Sequence, residues 1–342
     1  MRGTKDFVLL MFLVFLLPFT VRAQTVSESG NTGLWKVLTA STLAPRKTSF
    51  SVWYDRTNRN PGDLTISTTG FSAAYGISDR FEFGAALEAN KRVLVGRQDQ
   101  LSFGQQALGF FGNRTPGSPP LANELVSGSS RMPQLRSPAV PGGALTGTAG
   151  YYDLLPFAGL VREGNGIGQV TLAVKWRVLD QSAEAPVGLA VRPHFDVPIK
   201  KGIDYLLTHP VGTADLQYGF DGILSRSFGD AAEFYLNAGY RHIDQPVHVS
   251  VVQLANEALL GFGLNVPRTS RIQFVGEATA EVFIGGHTPN ATSGAEDPVD
   301  LTGGLRFDVT PRVILKATYR RLVNQSGRDK NGFVVSASFG PF

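Results

Sequence analysis

Long segments in which every second residue is apolar recur through most of this chain. Phe234, Leu236, Ala238 and Tyr240 alternate with Glu233, Tyr235, Asn237 and Arg241. Val170, Leu172, Val174, Trp176 and Val178 alternate with Thr171, Lys175 and Arg177, and Ile272, Phe274, Ala278, Ala280 and Val282 with Gln273, Glu277, Thr279 and Glu281. The pattern returns where Leu301, Leu305, Phe307 and Val309 oppose Thr302, Arg306 and Asp308, and where Leu315, Ala317 and Tyr319 oppose Lys316, Thr318 and Arg320. Period two is the signature of a strand whose two faces meet different surroundings. No helical stripe of period 3.6 persists, and nothing after residue 23 approaches the roughly 18 consecutive apolar residues of a membrane helix.

Two folds produce such alternation. In a soluble sandwich the apolar faces meet in a dry core; in a membrane barrel they meet lipid, and the polar faces line a wet interior. Strand length separates the two. The segments run to about 10–14 residues, against five or six in soluble sheets and about 9–11 for a tilted membrane strand. About twelve can be placed, near 48–58, 64–76, 80–92, 167–178, 184–197, 213–227, 231–243, 252–265, 270–284, 298–309, 312–324 and 331–342. Tight turns at Ser78-Asp79, Phe228 to Asp230, Pro267 to Thr269 and Thr310-Pro311 alternate with longer gaps at 198–212, 244–251, 285–297 and above all 93–166. Short periplasmic turns alternating with long external loops belong to an all-β, antiparallel up-and-down transmembrane barrel, here of about 12 strands. The long 93–166 loop, rich in Gly, Pro and Ser, is either an inward constriction or an external loop.

The N-terminus points to export. Arg2 and Lys5 precede the apolar run Phe7 to Phe19, and Val21-Arg22-Ala23 suits a signal peptidase. The expected organisation is a signal peptide at 1–23, an N-terminal periplasmic segment at 24–47, and a barrel over 48–342 in the cell outer membrane. The net charge of +4 falls closer to zero once Arg2, Lys5, Arg22 and Asp6 are removed, so nucleic acid is not an expected partner. The chain has no cysteine and hence no disulfide framework. Phe342 fits the terminal aromatic that the barrel-insertion machinery reads. It breaks the parity of Phe333, Val335, Ala337 and Phe339, which implies a slip or bulge at Gly340-Pro341.

Charged residues on the polar faces would cost a few kcal/mol each in lipid and should face the lumen. The candidate lining set is Glu82, Glu88, Lys175, Arg177, Arg192, His194, Glu233, Arg241, Glu277, Glu281, Arg306, Lys316 and Arg320, joined by Arg92, Asp196, Asp221 and Asp308. They either line a pore for polar solutes or form ion pairs that fill a narrow barrel. Charges of both signs imply weak ion selectivity, and replacing Lys175 and Arg177 by Gln should shift the reversal potential toward cations. His194, His209, His242, His248 and His287 show no metal-ligand spacing. His242 and Asp244, two residues apart, do not make a catalytic pair on spacing alone. No metal, cofactor or enzymatic activity is expected.

The stretch Gly166-Ile167-Gly168-Gln169-Val170-Thr171-Leu172-Ala173-Val174-Lys175-Trp176-Arg177, the strand from Val187 to Pro198, Gly212-Thr213-Ala214-Asp215, and Leu236-Asn237-Ala238-Gly239-Tyr240 resemble successive stations of the outer-membrane transporter family associated with the meta-pathway of phenol degradation. Gln169 stands where that family has Asp, and Val197 to Lys201 replace its Leu-Pro-Thr-Gly-Asp. The resemblance implies an outer-membrane transporter barrel. The expected partners are outer-membrane lipid, the insertion machinery and a small-molecule solute. The expected function is passive passage or uptake of small molecules, with a structural or surface-binding barrel as the alternative.

Overall fold

The computed structural model describes residues 24–60, 62–97, 162–182, 185–199, 216–244, 255–285, 297–324 and 330–342. They form thirteen strands: β1 (Thr48–Arg59), β2 (Leu64–Gly76), β3 (Phe81–Val95), β4 (Glu163–Gly166), β5 (Gln169–Leu179), β6 (Gly188–Pro198), β7 (Gln217–Phe228), β8 (Ala232–Ile243), β9 (Asn256–Val266), β10 (Ile272–Ile284), β11 (Val299–Thr310), β12 (Val313–Leu322) and β13 (Asn331–Phe339). Every neighbouring pair is antiparallel, and β1 pairs with both β2 and β13, so the sheet closes into a 12-stranded barrel with β4 as an extra strand. The short β4 lies within the expected 93–166 loop. It continues the line of β5 and pairs with the far end of β3, after β5 has paired with the near end. Residues 1–23 and 98–161, and with them the expected signal peptide and most of that loop, lie outside the described residues.

Burial is inside out relative to a soluble protein. Leu172, Trp176, Leu236 and Phe274 point outward, Leu236 being 52% exposed, and Phe50, Phe71, Leu305 and Tyr319 join them. Lys175, Glu82 and Glu257 point inward and are 0% exposed. A water-soluble sandwich would reverse both sets, because its apolar faces would be the hidden ones. Lipid around the wall makes this distribution favourable.

One inward assignment reverses. Arg92 points outward and pairs with Glu163 at 2.7 Å, whereas Lys91 is buried in the lumen. The cause is an extra residue in β3: Thr69 faces Asn90 but Gly70 faces Glu88, leaving Ala89 unopposed. A bulge of one residue exchanges the two faces for the rest of the strand.

A larger correction concerns 24–47. Expected as a periplasmic segment outside the barrel, it lies inside the lumen as a plug. Both of its ends sit toward the short-turn end: Val26 and Leu43 pack together on Ala74, and Thr42 donates to the Asp79 carbonyl at 2.8 Å. Bridges Val26–Thr32 and Gly33–Leu38 fold the stretch back on itself. Its closeness to the wall requires glycine. A Cβ on Gly30, whose φ is +93°, would come within 2.6 Å of the Ala85 backbone, and one on Gly84 within 2.6 Å of the Asn31 side chain.

At the C-terminus, Gly340 takes a φ of +121° and turns Phe342 outward, where it stacks on Phe50 with ring centroids 5.6 Å apart. The Phe342 amide donates to the Thr48 carbonyl at 2.9 Å. The break in parity is thus local to Gly340-Pro341.

Candidate functional site in the barrel lumen

The lower lumen, at the short-turn end, is a set of clamps on the plug. Glu82 on β3 and Lys175 on β5 are direct cross-strand partners, 3.1 Å apart. Glu82 also accepts from the Asn31 side chain (3.0 Å) and from the amides of Thr32 (2.9 Å) and Leu43 (2.8 Å). Lys175 donates to the Thr32 hydroxyl and to the Thr39 carbonyl (3.1 Å). Across the barrel, Glu277 accepts the amides of Trp35, Lys36 (3.1 Å) and Val37 (3.3 Å), and Lys316 donates to the Leu34 carbonyl. Successive amides converging on one carboxylate remove the desolvation penalty of both. Asn237 holds Leu38 reciprocally, accepting its amide at 2.6 Å and donating to its carbonyl at 3.0 Å.

Apolar contacts fill the spaces between these clamps. Leu34 and Val37 pack on Tyr235 and Val275, Leu38 and Ala40 on Ala190 and Ile223, and Trp35 meets Trp53 edge to face at 5.6 Å. These wall residues sit on the nominally polar face. Apolar residues at inward positions were the signal in the sequence that something other than water fills this end.

Above the plug the lumen opens into a chamber of about 220 Å³. Glu28 and Lys36 to Leu38 supply its floor. One wall carries Arg59–Asp300 (2.8 Å) and Arg320–Asp55 (2.9 Å). The other carries Arg192–Asp221 (2.7 Å), His194 set 3.4 Å from Asp221, and Arg241–Glu257 (3.0 Å). Asp196 accepts from the Thr171 hydroxyl, and Glu88, Lys91 and Gln169 complete the lining. Lys36 reaches up from the plug to Glu281 at 3.2 Å.

The candidate set therefore divides. Glu88, His194, Arg241, Glu281 and Arg320 line the chamber; Glu82, Lys175, Glu277 and Lys316 grip the plug; Arg192 does both, donating to the Asn31 side chain (2.7 Å) and the Ser29 carbonyl (2.9 Å). Arg177 and Glu233 sit at the short-turn mouth, bound to Asp180 (3.2 Å) and Arg268 (3.3 Å). Arg306 pairs with Asp308 at 2.8 Å on its own strand. Lys175 lies against the plug and is not among the residues that line the chamber. Sequence reasoning passed over Asp55, Arg59, Lys91, Asn237, Glu257 and Asp300, and the plug residues Glu28 and Lys36.

Labelling follows from this layout. Single cysteines at 172, 176, 236 and 274 should resist a charged thiol reagent, and those at 177 and 233 should react quickly. Those at 175 and 277 should react slowly until the plug is released. Equal rates at 175 and 177 in the intact chain would remove the plug from the lumen.

A closed antiparallel barrel with an apolar outer band and a charged interior defines the fold of an outer-membrane barrel. No family profile and no curated protein matches the sequence. Among solved structures, an outer membrane channel from Pseudomonas putida F1 aligns with 88% of this chain and 97% of its own at 9% identity, with a TM-score of 0.55. The NanC porin aligns over 85% of this chain and 99% of its own at 10% identity and a TM-score of 0.45. The P. putida toluene transporter TodX covers 92% and 95% at 10% identity and 0.43. The first likeness establishes a shared fold, the one the resemblance in the sequence implies. At such identities it reaches no further.

Proposed function

We infer that this chain is an outer-membrane channel for passive passage of small polar solutes, closed at rest on its short-turn side by residues 24–47. The observation that carries this reading is the charged chamber held inside an apolar-coated barrel. A barrel serving only as a scaffold could fill that space with side chains. Ion pairs of both signs on facing walls favour solutes with a polar or dipolar group and give weak selectivity among simple ions. The refolded protein in a planar bilayer should pass current, and a chain lacking 24–41 should pass much more. Silence in both forms would leave the alternative, a structural barrel, for which the close packing of the plug speaks. The outward Phe342 beside Phe50 supports a role for the terminal residue in insertion.

The plug also gives a pH dependence. Burial pushes the Glu28 carboxyl up to about 7, with Lys36 and Arg320 opposing and Asp55 and Glu277 adding. A released Glu28 returns to the ordinary carboxylate range. Between that range and about 7 the docked form holds the extra proton, so docking is favoured at low pH and weakens as pH rises through this window. Channel openings should become more frequent from about pH 5 to about pH 8, and Glu28→Gln should flatten the profile. An unchanged profile in that variant would exclude Glu28 as the titrating group.

A further inference from the structure

The charged chamber has an apolar roof. Leu64 and Ile66 on β2 and Val93 and Val95 on β3 turn inward at the long-loop end and form one buried cluster. Val93 and Val95 face inward only because of the bulge that also turned Lys91 into the lumen. Phe283 on β10 packs against this cluster. Yet β10 is no neighbour of β2 or β3. Going round the wall, β1, β13, β12 and β11 separate β2 from β10 on one side, and β3 and β5 to β9 on the other. A β10 side chain can meet Leu64 or Val93 only by reaching through the lumen. Ile66 meanwhile lines the chamber beneath, together with Arg59 and Glu281.

We propose that Phe283 and the Leu64, Ile66, Val93, Val95 cluster form an apolar crossbar that closes the chamber toward the long loops and sets which solutes enter it. An apolar constriction expels water, so an ion or strongly hydrated solute must shed its shell to pass. Beside Phe283 on the neighbouring strand, its cross-strand partner Glu257 is held by Arg241, which lines the chamber. A solute with some apolar surface and a polar group passes the crossbar and meets compensating charge at once. The floor made by the plug and this roof are separate closures, held toward opposite ends of the same strands β2, β3 and β10.

The inference rests on the transport reading, and its test separates the two. The chain has no cysteine, so Thr279→Cys, in the chamber wall, is a single reporter. A small cationic thiosulfonate is applied to the long-loop side of cells displaying the protein. Labelling should be slow with Phe283 present, severalfold faster with Phe283→Ala, and intermediate with Phe283→Leu, which also serves should the Ala variant fail to insert. Fast labelling with Phe283 in place, or the same rate in all three, overturns the crossbar. Labelling that responds to Phe283 in a protein that conducts in no form supports the crossbar and overturns the transport reading.

Discussion

Removing residues 24–41 should raise mean conductance severalfold by opening the floor of the lumen, while the crossbar at Phe283 stays as the remaining constriction. The barrel does not need the plug to close. All of its strand pairings lie between residues 48 and 339, and the plug contributes side-chain and backbone contacts to the inner face only. The cut is placed after Ser41 because Leu43 donates to Glu82 and Arg46 to the Gly76 carbonyl, contacts that seal the short-turn end. Glu82 and Lys175 would remain opposite one another and still compensate each other's charge. Glu277 would lose its three backbone donors, but to water that enters with the deletion. Planar-bilayer recordings on the two refolded proteins measure the effect. Equal conductance in both would mean that the plug does not block the path.

Glu82→Gln should destabilise the protein by about 3–5 kcal/mol, because it leaves the fully buried Lys175 without its counter-charge. The Thr32 and Thr39 oxygens around Lys175 are neutral and compensate only in part. The double variant Glu82→Gln with Lys175→Met should recover most of that loss in the barrel, since no buried charge remains, while the plug stays loosened. Their non-additivity is therefore the informative quantity. Glu233→Gln is the comparison: the Glu233–Arg268 pair lies at the short-turn mouth, half open to water, and should be worth under about 1 kcal/mol. The temperature at which the folded band is lost on a gel reads Glu82→Gln, Lys175→Met, the double variant and Glu233→Gln. Equal shifts for Glu82→Gln and Glu233→Gln would show that water reaches the Glu82 site, against the clamp described above.

The twelve strand positions were legible in the sequence because lipid and lumen impose opposite demands on alternate residues, and that demand is local. The faces of Leu172, Trp176, Leu236 and Phe274 follow from period two alone. Arg92 shows the limit: alternation is read by counting, and a bulge at Ala89 breaks the count without a composition signal. Most of the 24–47 segment carries no long alternation, so nothing in it named a site. Its place was set by tertiary fit, by three amides matching Glu277, by Gly30 and Gly84 allowing contact, and by Val275, Ile223 and Tyr235 offering apolar ground inside the wall. Ion pairs such as Arg59–Asp300 and the reach of Phe283 join strands that are not neighbours. Sequence alone determined which residues face inward on regular strands. Only closure of the barrel decided which of them meet, because distances across a lumen depend on the whole ring and not on any one strand.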